Sequence, residues 1–115
     1  MARIRHLAIV TDNRERLVKF YTTAFGMKVI DGVGPAIYLS DGYLNLAIIQ
    51  KRGNYKEGLY HFGFEVENIE ELRPVCKDLG AKTAIQKRTA NREGEYRVHD
   101  PDGTPIDLSQ HGWPV

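Results

Sequence analysis

The chain lacks the features that mark secreted, membrane and nucleic-acid-binding proteins. It has one cysteine, Cys76, among 115 residues, so an internal disulfide is excluded and a reducing compartment fits. Acidic and basic side chains are interleaved and the net charge is +1, so no basic patch for nucleic acid or a membrane surface is predicted. No apolar run approaches the ~20 residues that span a bilayer, and the first residues lack the apolar core of a signal peptide. These absences predict a cytoplasmic protein that binds neither membranes nor nucleic acids.

What the chain does contain is an imperfect internal repeat. Residues 4–10 and 59–66 have strand-like patterns, and each run ends in polar residues that can cap a helix. Apolar residues spaced i, i+3, i+4, i+7 then predict two helices. The first spans residues 13–25 and the second ends at Leu79, and a glycine stops each of them. The one irregularity is Pro74, which should kink the second helix or delay its start. The two stretches align with His6 on His61, Asn13 on Asn68 and Leu17 on Leu72.

Three short strand-like runs follow each helix, and the last two runs of each half are joined by an Asp-Gly turn. That dipeptide is a strong hairpin signal. The predicted strands are 27–31, 36–40 and 43–50 in the first half, and 82–86, 95–99 and 104–110 in the second. The sequence therefore predicts one α+β domain over residues 1–115, built from two tandem βαβββ modules at 1–52 and 58–115 that share a mixed sheet.

Strand alternation places three potential metal ligands, His6, His61 and Asp107, on the side of their strands away from the helices. Burying ionisable groups there without partners would be costly, so a metal ion or a ligand cleft is expected on that side. Two imidazoles and one carboxylate suit a divalent ion with open coordination positions. The same alternation puts Arg97 and His99 on one side of their strand.

These histidines, the paired βαβββ halves and the run Asp-Pro-Asp-Gly-Thr-Pro-Ile-Asp-Leu at 100–108 resemble the vicinal oxygen chelate superfamily. That superfamily includes glyoxalase I, bleomycin-resistance proteins, fosfomycin-resistance transferases, methylmalonyl-CoA epimerase and extradiol dioxygenases. The resemblance covers the whole chain and implies a cup-shaped sheet with the helices on its outer face. It also implies His6, His61 and Asp107 as metal ligands.

The chain departs from the family pattern in two places. Asp107 stands where members usually have glutamate, one methylene longer. Aligning the two Asp-Gly turns places Leu46 at the position of a fourth ligand, while Asn45 has the wrong strand parity unless the register slips by one, and Gln50 lies at the strand end. The proton-transfer chemistry of glyoxalase I is therefore disfavoured, and a three-ligand site resembles that of the dioxygenases and the fosfomycin-resistance transferases.

The remaining polar residues keep alternative interpretations. Arg97 either grips an anionic substrate group or pairs with an acid across the sheet, and His99 is either an acid or base near the metal or a rim residue. The pair Lys87-Arg88 is interpreted as surface charge. Residues 88–94 are interpreted as a polar loop that closes over a ligand.

The leading hypothesis is a metal-dependent enzyme acting on a small substrate with two adjacent oxygens. Fe(II) or Mn(II) is favoured over Ni(II) or Zn(II), and ring-cleaving dioxygenation over a glyoxalase-type lyase or thiol transfer to an epoxide. The alternatives are a metal-free small-molecule-binding protein and, less favoured, a structural module without a small ligand. In every case a homodimer is expected, with metal ligands drawn from one chain or from two swapped chains.

Overall fold

The order strand, helix and three strands occurs twice in the chain, as a computed structural model shows for residues 1–89 and 93–115. The side chain of Val33 also lies outside this description. The elements are β1 (Arg3–Thr11), α1 (Arg14–Phe25), β2 (Lys28–Val33), β3 (Ala36–Ser40), β4 (Asn45–Gln50), β5 (Gly58–Glu65), α2 (Ile69–Asp78), β6 (Gln86–Lys87), β7 (Tyr96–His99) and β8 (Pro105–Ser109). Both βαβββ repeats are therefore confirmed, although β6 is shorter and later than the predicted strand at 82–86.

Each helix is capped at its N-terminus by one of the two asparagines that the repeat aligns, Asn13 and Asn68. The Asn13 side chain accepts a hydrogen bond from the backbone N–H of Arg16, and that of Asn68 accepts from two backbone N–H groups, those of Glu70 and Glu71. Such caps satisfy N–H groups that have no partner within the helix. Two acidic residues in the first turn of α2 add a favourable interaction with the helix dipole.

Pro74 lies inside α2 without delaying its start. The helix begins at Ile69, where the backbone N–H donates to Gln110 and the Asn68 cap is in place. A later start, one of the two effects expected of Pro74, is therefore wrong, because interactions at the N-terminus fix where the helix begins. At its other end Gly80, with φ 88°, allows Ala81 N–H to bond the Cys76 carbonyl, a Schellman-type end.

The strands form an eight-stranded mixed sheet in the order β2-β3-β4-β1-β5-β8-β7-β6 within the described residues. β1 pairs with β4, and β5 with β8, in parallel. β3–β4 and β7–β8 are antiparallel and are joined by the predicted Asp-Gly turns. Gly42 and Gly103 have φ values of 98° and 91°, a conformation that glycine adopts without steric cost.

The chain divides into two compact units. The first, here the Asp107 unit, comprises Met1–Arg5 and His61–Trp113, and the second, the His6 unit, comprises His6–Tyr60 and Pro114–Val115. The module boundaries at 1–52 and 58–115 stay a prediction.

Each unit packs its helix on one face of its own strands. In the Asp107 unit, α2 contributes Leu72 and Cys76 to a core that includes the buried residues Val66, Ile69, Ile85, Val98 and Leu108. In the His6 unit, α1 contributes Leu17, Val18 and Tyr21 to a core around Leu39, Leu46 and Ile48. On the strands, Leu7 and Ile9 pack in the core of the His6 unit, and Phe64 and Ile106 pack in that of the Asp107 unit. Among the helices described, neither is long and apolar enough to cross a membrane.

Candidate metal centre

In the Asp107 unit, the strand face opposite α2 carries a buried carboxylate. Asp107 lies between Ile106 and Leu108, which both point into the core with α2, so strand alternation turns its side chain to the other face. It pairs with Gly63 of β5 on one side and with Arg97 of β7 on the other. Only 2% of Asp107 is exposed, so its charge needs partners.

Asp107 has three such partners. Arg97 Nε donates to Oδ1 at 2.6 Å, and Arg88 Nη1 donates to Oδ2 at 2.8 Å. His61 Nε2 lies 3.2 Å from the same Oδ2. The backbone of Gly94 packs so closely that a Cβ there would lie 2.9 Å from Oδ2. The carboxylate is therefore enclosed by two guanidinium groups, an imidazole and a glycine.

These contacts also fix the charge of Asp107. Burial alone would raise the pKa of this carboxyl group, but hydrogen bonds and electrostatic attraction from His61 and Arg97 outweigh burial and hold the pKa well below its usual range. Asp107 is therefore ionised at neutral pH. An ionised carboxylate is the form that binds a metal ion.

Arg88 was not predicted as part of this site. The sequence interpretation of Lys87-Arg88 as surface charge is wrong for Arg88, whose side chain reaches Asp107. Its position one residue beyond β6, which pairs with β7, is what brings it near the Asp107 strand. The predicted loop 88–94 includes residues 90–92, which lie outside the described part of the chain.

The two predicted catalytic residues have different surroundings. Arg97 pairs with an acid across the sheet, as one of its two interpretations held, and that acid is Asp107 itself. His99 is half-buried, and its Nδ1 lies 3.2 Å from the Thr83 hydroxyl oxygen. Catalytic roles for Arg97 and His99 stay predictions.

In the His6 unit, the strand face opposite α1 carries His6 and Asn45. These residues pair across β1 and β4 and are 5% and 1% exposed. His6 Nδ1 lies 2.8 Å from Asn45 Oδ1, and Asn45 Nδ2 donates to the Pro114 carbonyl oxygen at 2.9 Å. Asn45 is therefore on the same face as His6.

That placement corrects the sequence-based alignment of the two Asp-Gly turns. Leu46 points into the core with α1, and Asn45 has the parity that was expected of Leu46. The turn after Gly42 holds Tyr43 and Leu44 before β4, whereas Thr104 alone separates Gly103 from β8. The residue that corresponds to Asp107 in the ladder is consequently Ala47, which pairs with Ala8 as Asp107 pairs with Gly63.

Gln50, the other residue considered as a fourth ligand, is used elsewhere. Its Oε1 accepts a hydrogen bond from the backbone N–H of Arg14, and its Nε2 donates to the Asp12 carbonyl. Gln50 therefore ties the end of β4 to the start of α1.

The potential ligand atoms of His6, His61 and Asp107 all lie within 4.8 Å of one another. Ligands about 2.1 Å from one ion are about 3–3.5 Å apart when they are neighbours around it, and the 3.2 Å from His61 to Asp107 matches that spacing. Two imidazoles and one carboxylate are a donor set for Fe(II) and other first-row ions. The donor chemistry thus fits a divalent metal ion, while the two arginines on Asp107 compete with that ion for the carboxylate.

A model of the Glyoxalase/Bleomycin resistance protein/Dioxygenase superfamily matches residues 3–108. The chain belongs to this superfamily.

Solved structures that share this fold include enzymes with different activities. An extradiol ring-cleaving dioxygenase from B. fuscum is 20% identical, with a TM-score of 0.75, over 98% of this chain and 33% of that one. Homoprotocatechuate 2,3-dioxygenase from Arthrobacter globiformis is 23% identical, with a TM-score of 0.71, over 93% and 35%. Methylmalonyl-CoA epimerase from Mycobacterium tuberculosis is 14% identical, with a TM-score of 0.64, over 91% and 85%.

At these identities the similarity shows the fold. The chain spans about a third of the length of the two dioxygenases. No protein with a curated function matches it.

Proposed function

We propose that the chain is a metal-dependent enzyme of the superfamily that acts on a small substrate with two adjacent oxygens. The observation that carries this proposal is the convergence of His6, His61 and Asp107, whose ligand atoms lie within 4.8 Å of one another. A divalent ion held there would supply Lewis acidity and open positions for the two substrate oxygens. Fe(II) or Mn(II) is the favoured ion, with Ni(II) or Zn(II) as the alternatives.

The chain's own residues would prepare this site without the ion. Asp107 is ionised, so it can bind a cation without first losing a proton. Arg97 and Arg88 each hold one carboxylate oxygen and so fix the orientation of Asp107. Hydrogen bonds to a ligating carboxylate orient it in metal sites generally. Both guanidinium groups lie beside the Asp107 carboxylate, where an anionic substrate oxygen would also be attracted.

Within this class we propose ring-cleaving dioxygenation first. Two of the structural relatives named above are extradiol ring-cleaving or 2,3-dioxygenases. A lactoylglutathione-lyase-like reaction is disfavoured because Ala47, at the position corresponding to Asp107, has no group to bind a metal or move a proton. Oxygen uptake by the Fe(II)-loaded protein with a set of catechols would support dioxygenation, whereas hemithioacetal isomerisation without oxygen uptake would favour the lyase.

A metal-free small-molecule-binding protein is the second candidate, and one observation favours it. Both oxygens of Asp107 already receive a guanidinium hydrogen bond, so its buried charge is balanced without an ion. In that case Asp107 would be structural, and ligand affinity would not depend on metal.

Metal uptake separates the two candidates. The protein, purified without a histidine tag, is dialysed against Fe(II) without oxygen, or against Mn(II), Ni(II) or Zn(II). We expect about one ion per chain for the wild type and a loss of affinity in His6→Ala and His61→Ala. His111→Ala is the matched control, since His111 is exposed. Less than about a tenth of an ion per chain with all four metals would overturn the metal-dependent proposal.

A homodimer is also part of the proposal, because strand edges of a small chain gain from being covered. Sedimentation equilibrium at micromolar concentration should give twice the chain mass of 13.1 kDa. A mass of one chain at that concentration would contradict it.

A further inference from the structure

We propose that Asn45, held by the carbonyl of Pro114, is a positioning residue that fixes which nitrogen of His6 can bind a metal. The inference rests on the proposed metal site but concerns residues outside the ligand set. Its basis is the chain of two hydrogen bonds from the Pro114 carbonyl through the Asn45 amide to His6 Nδ1, at 2.9 and 2.8 Å.

The chemistry of the groups sets the direction of both bonds. A backbone carbonyl can only accept, so the Asn45 atom facing Pro114 is the amide NH2. The other end of the amide, Oδ1, can only accept as well, so Nδ1 of His6 must carry the proton that it donates. A neutral imidazole has one N–H, which leaves the lone pair on Nε2. Nε2 is therefore the ligand atom of His6.

Burial makes this arrangement hard to reverse. Asn45 is 1% and His6 5% exposed, so bulk water has little access to either side chain. Turning the amide over would face Asn45 Oδ1 to the Pro114 carbonyl and its NH2 to His6. Two acceptors would then face each other, and the amide oxygen of Asn45, a residue that is 1% exposed, would have no donor. The Pro114 carbonyl thus controls the orientation of Asn45.

A preset tautomer favours metal binding in two ways. The lone pair already lies on the nitrogen that binds, so no proton has to move within the ring when an ion arrives. A ligating histidine that donates its other N–H to an oxygen is also a stronger and better oriented ligand, and losing such a partner typically lowers metal affinity about 10–100-fold. The Asn45 amide has this role for His6.

The link to Pro114 makes the inference testable without altering the metal ligands or Asn45. Pro114 is 69 residues from Asn45 along the chain. The bond uses its backbone carbonyl, so the side chain at 114 should be immaterial. Deleting residues 114–115 removes the carbonyl, and the amide of Asn45 loses its fixed direction.

The experiment measures 15N chemical shifts of the histidine rings in the metal-free protein, which report the tautomer directly. We expect His6 of the wild type to be protonated on Nδ1. Asn45→Leu, of similar size but with no acceptor, should shift His6 toward the Nε2-protonated form and lower Mn(II) affinity about 10–100-fold. Deletion of residues 114–115 should change both readouts in the same direction by a smaller factor. The ring signals of exposed His111 serve as the internal control in each spectrum.

The two readouts separate this inference from the proposed function. Wild-type His6 protonated on Nε2 would overturn the role of Asn45 even if metal binds. An Asn45→Leu chain that keeps the wild-type tautomer and Mn(II) affinity would overturn it too. If Asn45→Leu does not fold, the deletion variant decides by the same criteria. A wild type with the expected tautomer and no metal uptake would instead contradict the proposed function.

Discussion

The two units of this chain share one strand pattern but carry different chemistry at matching positions of the ladder. With His6 aligned on His61, Ala8 and Ala47 of one unit correspond to Gly63 and Asp107 of the other. The first pair presents two methyl groups, both buried. The second presents a buried carboxylate beside a residue without a side chain. The two units therefore share the strand pairing, but of these corresponding positions only that of Asp107 carries an acid.

The histidines differ in the same way. His6 has a neutral amide as its neighbour at 2.8 Å, and His61 has a charged carboxylate at 3.2 Å. The Asp107 carboxylate beside His61 also accepts hydrogen bonds from Arg88 and Arg97. The Asn45 amide beside His6 instead donates to a backbone carbonyl. In the Asp107 unit, charged groups therefore surround the histidine's neighbour. In the His6 unit, neutral hydrogen bonds fix the orientation of that neighbour. Variants at corresponding positions can test this.

Asp107→Asn should have the largest effect on stability. It removes the charge that balances two guanidinium groups, whose side chains are 20% and 18% exposed. Breaking one partner out of a buried ion pair costs about 3–5 kcal/mol. Urea denaturation of the metal-free protein would measure the loss. Asp78→Asn, at an exposed acid of the same unit, should stay within about 0.5 kcal/mol of wild type. Equal stabilities for Asp107→Asn and wild type would refute the charge role of Asp107.

The dependence of stability on pH should change in the same variant. Because the pKa of Asp107 is lowered by folding from its usual 3.8, its contribution is complete above that value and is lost as pH falls through the folded-state pKa. Unfolding free energies measured from about pH 6 to 3 should therefore decline less steeply in Asp107→Asn than in wild type. Asp41, whose pKa is lowered by backbone hydrogen bonds from Leu44 and Tyr43, contributes equally to both chains. Parallel profiles would count against this assignment.

Gly63→Ala and Ala8→Gly exchange the small residues at corresponding positions. A Cβ at Gly63 would lie 2.7 Å from Trp113 Cη2 and 2.8 Å from its Cζ2, so the ring would have to shift. Overpacking of this kind costs about 1–3 kcal/mol. Ala8→Gly, in contrast, should cost about 0.5–1 kcal/mol, from backbone entropy and a lost methyl group. Thermal unfolding of the two variants would show the difference, and the reverse ranking would contradict the packing of Trp113 on Gly63.

The two helix caps offer the smallest contrast. Asn68 accepts hydrogen bonds from two backbone N–H groups and Asn13 from one. Asn→Ala at a helix N-cap costs about 0.5–2 kcal/mol, so Asn68→Ala should lie toward the upper end and Asn13→Ala toward the lower. Urea denaturation of each single variant would measure the pair. A larger loss for Asn13→Ala would show that the number of accepted bonds does not set the order.

Local signals in the sequence predicted most of the fold. Both asparagine caps, the glycine ends of the helices and the Asp-Gly turns act through neighbouring residues, so the sequence shows them directly. Strand alternation also placed His6, His61 and Asp107 away from the helix-facing cores. These features repeat, and the repeat made each of them easier to recognise.

The incorrect predictions concern the strand face of Asn45 and the contact of Arg88. The first depends on the length of a turn, and the second on the reach of a long side chain. An extra residue after Gly42 moves β4 by one position, and such a shift exchanges the two faces of a strand, so Asn45 rather than Leu46 faces the site. Arg88 lies beyond the end of β6, where periodicity says nothing about direction, and its length lets it reach Asp107. Neither outcome could be predicted from spacing alone.

X-ray absorption of the Fe(II)-loaded protein tests the metal centre most directly. We predict a first shell of nitrogen and oxygen at about 2 Å together with the outer-shell scattering of two imidazole rings. That scattering should fall to one ring in His61→Ala and stay at two in His111→Ala. A spectrum without imidazole scattering, or one that His61→Ala leaves unchanged, would contradict metal binding by His6, His61 and Asp107.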